Sequence, residues 1–493
     1  MWRSRKSDYE PVRRLRTVGP ADARLPVPPD FSSLVKVSEP HRKTQDRLAE
    51  VETRHPEAVK GILKRGHGFT YVALFLFTVV LYARPAEFYP SPLTSSLALV
   101  IGVMTLAIFI ASQLTVEGVL TVRPREINLV LLLGLTGLLS IPLALSPSEA
   151  WHTFGDTFIR CLVIFIVIVN VVRTRGRLRA MLFLTLIVAT WLSLGAINDY
   201  RLNLTTVEGY RIGGRGSGIF GNSNDMALFL VTSVPVALAF FFSARGAAKK
   251  ILFGACALLM MAAVVLTYSR GGFVGLLAVL AFMAWKIGRR KRLTIAICGL
   301  ILLIGLLLFA PGNYALRLAS IFVPSLDAVG SSEMRREILY RSIWTALRHP
   351  LFGIGMGNFH NVSIRELVSH NAYTQVAAEM GLAALFLYTM FIVTPLRRLG
   401  QVVRETTARG NPTYYLAIAL QASLLGYMFS SFFASVAYLW YVYYLVGYAV
   451  CLRRIYEAET GREIVLESKK NRRTNSPTER ATTPGFPEVE TVG

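Results

Sequence analysis

Arginines set among glycine-rich turns, together with one histidine, are the residues of this 493-residue sequence best suited to chemistry. Segments 198–224 and 311–371 hold Arg201, Arg211, Arg215, Arg317, Arg335, Arg336, Arg341, Arg348 and Arg365, and no lysine. A guanidinium keeps its charge and grips phosphate through two parallel N–H donors, which an ammonium does not do. The pattern predicts an anionic ligand held by two or three of these arginines. Segment 209–227, GYRIGGRGSGIFGNSNDMA, runs from glycine-rich chain straight into an apolar stretch. Glycine lets backbone approach a ligand closely, and the start of the following helix favours an anion. Asn222, Asn224 or Asp225 would cap that helix. Tyr268–Gly272, YSRGG, is a tight turn that puts Arg270 at a membrane boundary, where it either snorkels or touches phosphate. Residues 333–348, EMRREILYRSIWTALR, read as an amphipathic helix on the outer leaflet, with Ile338, Leu339, Ser342, Ile343, Ala346 and Leu347 on one face and arginines on the other. His349-Pro350 ends it, and the glycine-rich loop LFGIGMGNF follows.

His370 opens the stretch HNAYTQVAAEMGLAALF at the water boundary, where an imidazole exchanges protons near neutral pH. Nine residues on, Glu379 would lie about 13 Å deeper along the same helix. A carboxylate in a membrane is costly and faces a partner or a wet cavity. Arg160, in the fourth apolar span, is the obvious partner, as a packing pair or in a catalytic role.

The elements that must position these groups are membrane helices. The sequence is 53% apolar and 17% charged, and its apolar residues are gathered into runs. Many runs reach the roughly 18–20 residues needed to cross a hydrocarbon core of about 30 Å. Spans are predicted near 68–83, 95–114, 127–145, 157–173, 179–197, 225–243, 250–268, 272–286, 292–310, 372–394, 414–434 and 437–452. The expected fold is therefore all-α, a polytopic bundle of about 12 transmembrane helices. Residues 1–66 form a basic, mostly disordered tail, 67–454 the membrane domain and 455–493 a second disordered tail. The first sixty residues contain no apolar core of a signal peptide, so the first span serves as the insertion signal.

The net charge of +23 belongs to the positive-inside bias of a membrane protein rather than to nucleic-acid binding. Between residues 65 and 455 the lysines are Lys249, Lys250, Lys286 and Lys291. All four fall on the cytoplasmic side when both termini are placed there. The opposite side receives the arginine-bearing segments, including the large loop 311–371. Cys161, Cys256, Cys298 and Cys451 lie in apolar runs without CxxC spacing and read as small core residues. No cluster of external acids suggests a metal site.

Taken together, these segments resemble the O-antigen ligase / O-antigen polymerase (Wzy) superfamily of bacterial envelope glycan enzymes. The likeness rests on Arg215-x-x-Gly218-x-x-Gly221-Asn222-x-Asn224 and Ser269-Arg270-Gly271. It continues in Arg335/Arg336 with His349-Pro350-Leu351-Phe352-Gly353-x-Gly355-x-Gly357-x-Phe359, and in His370-Asn371-x9-Gly381. These motifs span about 210–385, the shared core. Ser223 stands where the family usually has proline. Ala384 stands where the ligase-type motif has Gly, Thr or Tyr, which leans towards a polymerase.

The resemblance implies a GT-C-like scaffold in the bacterial inner membrane and an active site at the periplasmic face. It implies a lipid-linked donor, an undecaprenyl-diphosphate glycan, and metal-independent, cofactor-free glycosyl transfer to a glycan, lipid or protein acceptor. In that frame Arg215, Arg270 and Arg335 or Arg336 hold diphosphate, and His370 is the base. Asn222, Asn224, Asn371, Glu379 and Arg160 support them. A flippase and a chain-length regulator are the expected partners of a polymerase. The competing reading is a bicarbonate-uptake-like transporter sharing the same core. Its expected inverted repeat and mid-membrane broken helices are not seen in the sequence.

Overall fold

The computed structural model describes residues 66–117, 121–204, 211–214, 220–287, 305, 331–406 and 411–461. Residues 1–65 and 462–493 of the expected tails, Arg215, and nearly all of the span at 292–310 lie outside the described residues, as does loop 311–330; residues 455–460, expected in the disordered tail, instead continue the last helix. Among the described residues the chain is helical and has no β-strand.

Thirteen helices organise it: α1 (Gly68–Ala83), α2 (Pro92–Glu117), α3 (Arg125–Ser140), α4 (Pro147–Val171), α5 (Arg175–Arg201), α6 (Ser223–Ser243), α7 (Ala247–Leu266), α8 (Arg270–Ile287), α9 (Ser331–Arg348), α10 (Ala372–Met380), α11 (Leu382–Glu405), α12 (Pro412–Ser430) and α13 (Trp440–Thr460). Their starts follow local chemistry. Thr174 caps α5 by accepting the Arg177 N–H (3.3 Å), and Asn411 caps α12 by accepting that of Thr413 (2.9 Å). Proline occupies the first turn of α4 and α12, where its missing N–H costs nothing.

Nine of the described helices are long and apolar enough to cross a membrane: α1, α2, α4, α5, α6, α7, α8, α11 and α12. Helix α2 turns Leu99, Val103, Met104 and Leu114 outward, each at least half exposed. Such a stripe is tolerated only against lipid. The protein is a multi-pass membrane protein. At the centre α6 packs along α12, both mostly buried. The small residues Gly275 and Gly426 let α8, α12 and α6 approach closely: a β-carbon on either would press on Ser430 or Val279.

The expected spans 68–83 to 272–286, 414–434 and 437–452 each overlap one helix, but α3, which ends at Ser140 inside the span 127–145, and α13, at 437–452, are not among the nine long and apolar enough to cross. The expected span 372–394 overlaps two helices. It is divided at Gly381, where the backbone takes φ 90° between α10 and α11. Polarity could not reveal this break, because both halves are apolar. It is held by a loop from elsewhere in the sequence, described below.

Helix α9 is amphipathic, as predicted. Its buried Ile338 and Ala346 pack with Phe359, Ala377 and Ala378, which seats α9 on α10. Ile343 and Leu347, expected on the packed face, are exposed with Tyr340 and Trp344, because the seat on α10 is narrower than the apolar stripe.

Candidate active site

One corner of the site is built where α6, α7 and α8 meet. Asn222 is the cap of α6, its side chain accepting the Asn224 N–H (2.8 Å). That leaves the Asn224 side chain free for tertiary contacts. Its Oδ1 accepts from the Arg211 Nη2 (2.9 Å) and from the Ser269 hydroxyl (2.9 Å). Arg211 also donates through Nε to the Thr267 carbonyl (3.1 Å), beyond the end of α7. Ser269 Oγ accepts the Gly272 N–H (3.1 Å) and so caps α8, whose first residue is the buried Arg270. One amide oxygen thus fixes two motifs 45 residues apart and a guanidinium upstream of both.

The second corner carries His370. Its backbone sits in the left-handed region (φ 51°), unusual for a residue with a β-carbon. Two contacts hold it there. The His370 N–H donates to Ser435 Oγ (2.8 Å), in the connection between α12 and α13. The next residue, Asn371, caps α10 by accepting the Tyr373 (2.9 Å) and Thr374 (3.2 Å) N–H groups. Burial, then the guanidiniums of Arg335 and Arg211, push the imidazole down to about 4. Both arginines therefore act on His370, which is neutral at pH 7 and able to accept a proton.

The third part is the loop His349–Phe359, which fastens α9 to α10. Its Ile354 and Gly355 N–H groups donate to the Ala378 (2.9 Å) and Glu379 (3.0 Å) carbonyls at the end of α10. The Pro350 carbonyl accepts the Leu382 N–H at the start of α11 (2.8 Å). These bonds satisfy backbone groups that the break at Gly381 would otherwise strand in an apolar surrounding. They also explain the glycines. A β-carbon on Gly353 would overlap the Glu379 carbonyl group, and one on Gly381 that of Leu351. Asn358 ties the loop to the α3–α4 connection by accepting the Ser146 N–H (2.6 Å).

Glu379 belongs to this structural lock. It is buried, accepts the Phe359 N–H (3.3 Å), and lies beside Tyr438 and Gln375. The expected Arg160–Glu379 pair is not formed. Arg160 bonds Asp156 instead (2.8 Å), one turn back on α4 at a half-exposed surface. A partner one helical turn away costs far less to reach than one across the bundle.

The structure separates the remaining residues drawn from the sequence. Arg335 is half-buried and near enough for its charge to act on His370; Arg336, about 100° further round the helix, is exposed and lies over the Tyr340 ring (5.6 Å). Arg270 is buried at the Ser269 corner. Arg211 was one of nine outer-loop arginines in the sequence and was not singled out. The signal that could have found it is its place four residues before Arg215 in the same glycine-rich segment. Ser435 carried no signal, because only the fold brings it to His370.

No curated protein matches the chain. The O-antigen ligase family model matches residues 255–389. The match contains Ser269-Arg270, α9, the His349–Phe359 loop, His370 and the break at Gly381; Arg211, Asn222 and Asn224 precede it. The likeness to the O-antigen ligase family is therefore carried by residues 255–389 of the chain.

Proposed function

We propose that this protein is a metal-independent glycosyltransferase on a GT-C-like scaffold. It moves a glycan from an undecaprenyl-diphosphate carrier to an acceptor hydroxyl at the periplasmic face of the inner membrane. The observation that carries this reading is the convergence of Arg211 and Arg335 on a neutral His370. Arg270 stands beside Ser269 at the corner that fixes Arg211. Cationic forks beside a proton acceptor suit a reaction in which a hydroxyl attacks and a diphosphate leaves.

In this mechanism the acceptor oxygen forms a bond to the anomeric carbon of the donor sugar. The bond from that carbon to the diphosphate oxygen breaks, and its electron pair leaves with the diphosphate. His370 takes the acceptor proton as general base. Arg211, Arg270 and Arg335 stabilise the charge that develops on the leaving group, with Arg215 as a further ligand from the adjoining glycine-rich segment. Arrival of a dianionic diphosphate offsets the guanidinium field and makes His370 a stronger base when the donor is bound.

The sidedness is supported by the basic residues. Arg175 and Arg177 begin α5, Lys249 and Lys250 lie in the first turn of α7, and Lys286 lies in the last turn of α8. These helix ends are opposite to those that carry Asn224, Ser269 and Arg270, as the positive-inside rule requires of a periplasmic site. A polymerase reading is favoured within the family by Ala384, which lies buried two residues into α11.

The test is transfer of glycan from a purified lipid-linked donor. His370→Ala should reduce turnover by at least 100-fold, while unchanged turnover refutes the base assignment. In cells, loss of a polymerase leaves one short repeat on the acceptor, and loss of a ligase leaves long unattached chains. The transporter reading gains no support from the family match.

A further inference from the structure

A cleft separate from the arginine corner opens between α1, α2 and α4. It consists of two connected cavities of about 330 and 450 Å³ that share Leu81, Ala98, Thr157 and Trp440. The inner part is mostly apolar, with Phe77, Leu99, Val103 and Ile164 among its lining residues and the Arg160–Asp156 pair also on its wall. The outer part is polar, at the end of α1 and the starts of α2, α6 and α13, and is lined by Arg84, Glu87, Thr94 and Asp225. A cleft apolar along the helices and polar at the rim suits an amphiphile entering sideways from lipid.

The charge of the rim restricts its headgroup. Arg84 is already paired with Glu87 (2.9 Å). No described residue forms an ion pair with Asp225, which follows Asn224 on α6. Arg160, at the inner part, is likewise paired with Asp156 (2.8 Å), so no unpaired cation among the described lining residues is offered to a diphosphate. A carboxylate, threonine hydroxyls and an indole face are instead the groups that grip sugar hydroxyls and the apolar side of a sugar ring.

The cleft is joined to the site described above through two short pieces of chain. Asp225 adjoins the residue that fixes Arg211. Leu439 and Trp440 end the connection whose Ser435 holds His370, and five residues span at most about 17 Å.

We propose that this cleft seats the acceptor. Its lipid chain lies along α1, α2 and α4, and its uncharged sugar end lies at Asp225 and Trp440, leaving the arginine corner to the donor diphosphate. The proposal rests on the glycosyltransferase reading.

The experiment measures transfer from one lipid-linked donor to two acceptors carrying the same sugar, one on a polyprenyl chain and one on acyl chains. Three enzymes are compared: wild type, Asp225→Asn, and Ala98→Phe, which fills the junction of the two cavities. Both variants should raise the acceptor KM at least 10-fold and leave the donor KM within twofold, so the donor serves as the control for folding. The acceptor lipid that shows the larger rise in Ala98→Phe is the one the cleft holds. An active wild type with variants of unchanged acceptor KM overturns the proposal, as does a rise confined to the donor KM. A wild type inactive with every donor and acceptor pair overturns the glycosyltransferase reading instead. The cleft is then judged by native mass spectrometry of acceptor glycolipid bound to wild type and Ala98→Phe. Equal occupancy refutes it, and occupancy lost in the variant supports it.

Discussion

Substituting Arg335 by glutamine tests the electrostatic heart of the site. In the native protein His370 falls from the ordinary 6.5 to about 4 through burial, Arg335 and Arg211, in that order of size. All three act in the same direction, and Arg335 is not the largest. It therefore accounts for at most half of the drop, about 1.2 pH units, or about 1.7 kcal/mol of proton affinity. Removing a positive charge makes protonation easier, so the His370 midpoint in Arg335→Gln should rise from about 4 to no higher than about 5.2. The direct assay is acylation of His370 by diethyl pyrocarbonate, followed by peptide mass spectrometry. Only the neutral imidazole reacts, so the rate against pH reports the midpoint without requiring turnover. The acid limb of kcat/KM should move upward with it, because that limb reports the free enzyme. Saturating pyrophosphate should raise the wild-type midpoint, since an anion between the arginines and His370 offsets their field, and should raise that of the variant less. An unchanged or lower midpoint in Arg335→Gln refutes the reasoning.

Three further outcomes are expected. Asn224→Ala removes the oxygen shared by Arg211 and Ser269 and should lower kcat at least 10-fold, whereas Asn224→Asp keeps the acceptor and should retain most of it; equal losses would deny the positioning role. Gly381→Ala places a β-carbon against the Leu351 carbonyl at φ 90°. It should cost about 1–3 kcal/mol, read as lower thermal stability in detergent, and a neutral result would mean the α10–α11 break is not held as described. Glu126→Gln removes the buried acid that Arg453 (3.3 Å) and Arg398 (3.9 Å) share at the opposite end of the bundle. It should destabilise by about 3–5 kcal/mol while leaving the KM values of the surviving folded enzyme unchanged; wild-type stability would show that the pair carries no net energy.

The division between what was legible in the sequence and what was not follows from the range of the forces. Apolar runs marked most of the long helices, because crossing a bilayer demands an unbroken run that no other structure needs. Helix α9 was legible from its 3.6-residue period. Asn222, Asn224, Ser269, Arg270 and His370 stand out as candidates by residue type and spacing, and the cap of α6 is narrowed to Asn222, Asn224 or Asp225, because capping is a purely local matter.

What only the tertiary structure decided depends on contacts between distant segments. The division of 372–394 into α10 and α11 is imposed by the backbone of residues 350–355, and both halves are apolar alone. Arg335 and Arg336 are neighbours in sequence, yet a helix points them about 100° apart, so that the charge of one acts on His370 and the other lies over a tyrosine ring. Glu379 and Arg160 looked like a pair because two buried charges attract. Asp156 and the Phe359 N–H were nearer. Arg211 gained its place from Asn224 and Thr267, 13 and 56 residues away. Sequence determined which residues are able to bear chemistry, because charge, proton affinity and backbone freedom belong to the residue. The fold decided which of them meet, because meeting is a property of packing.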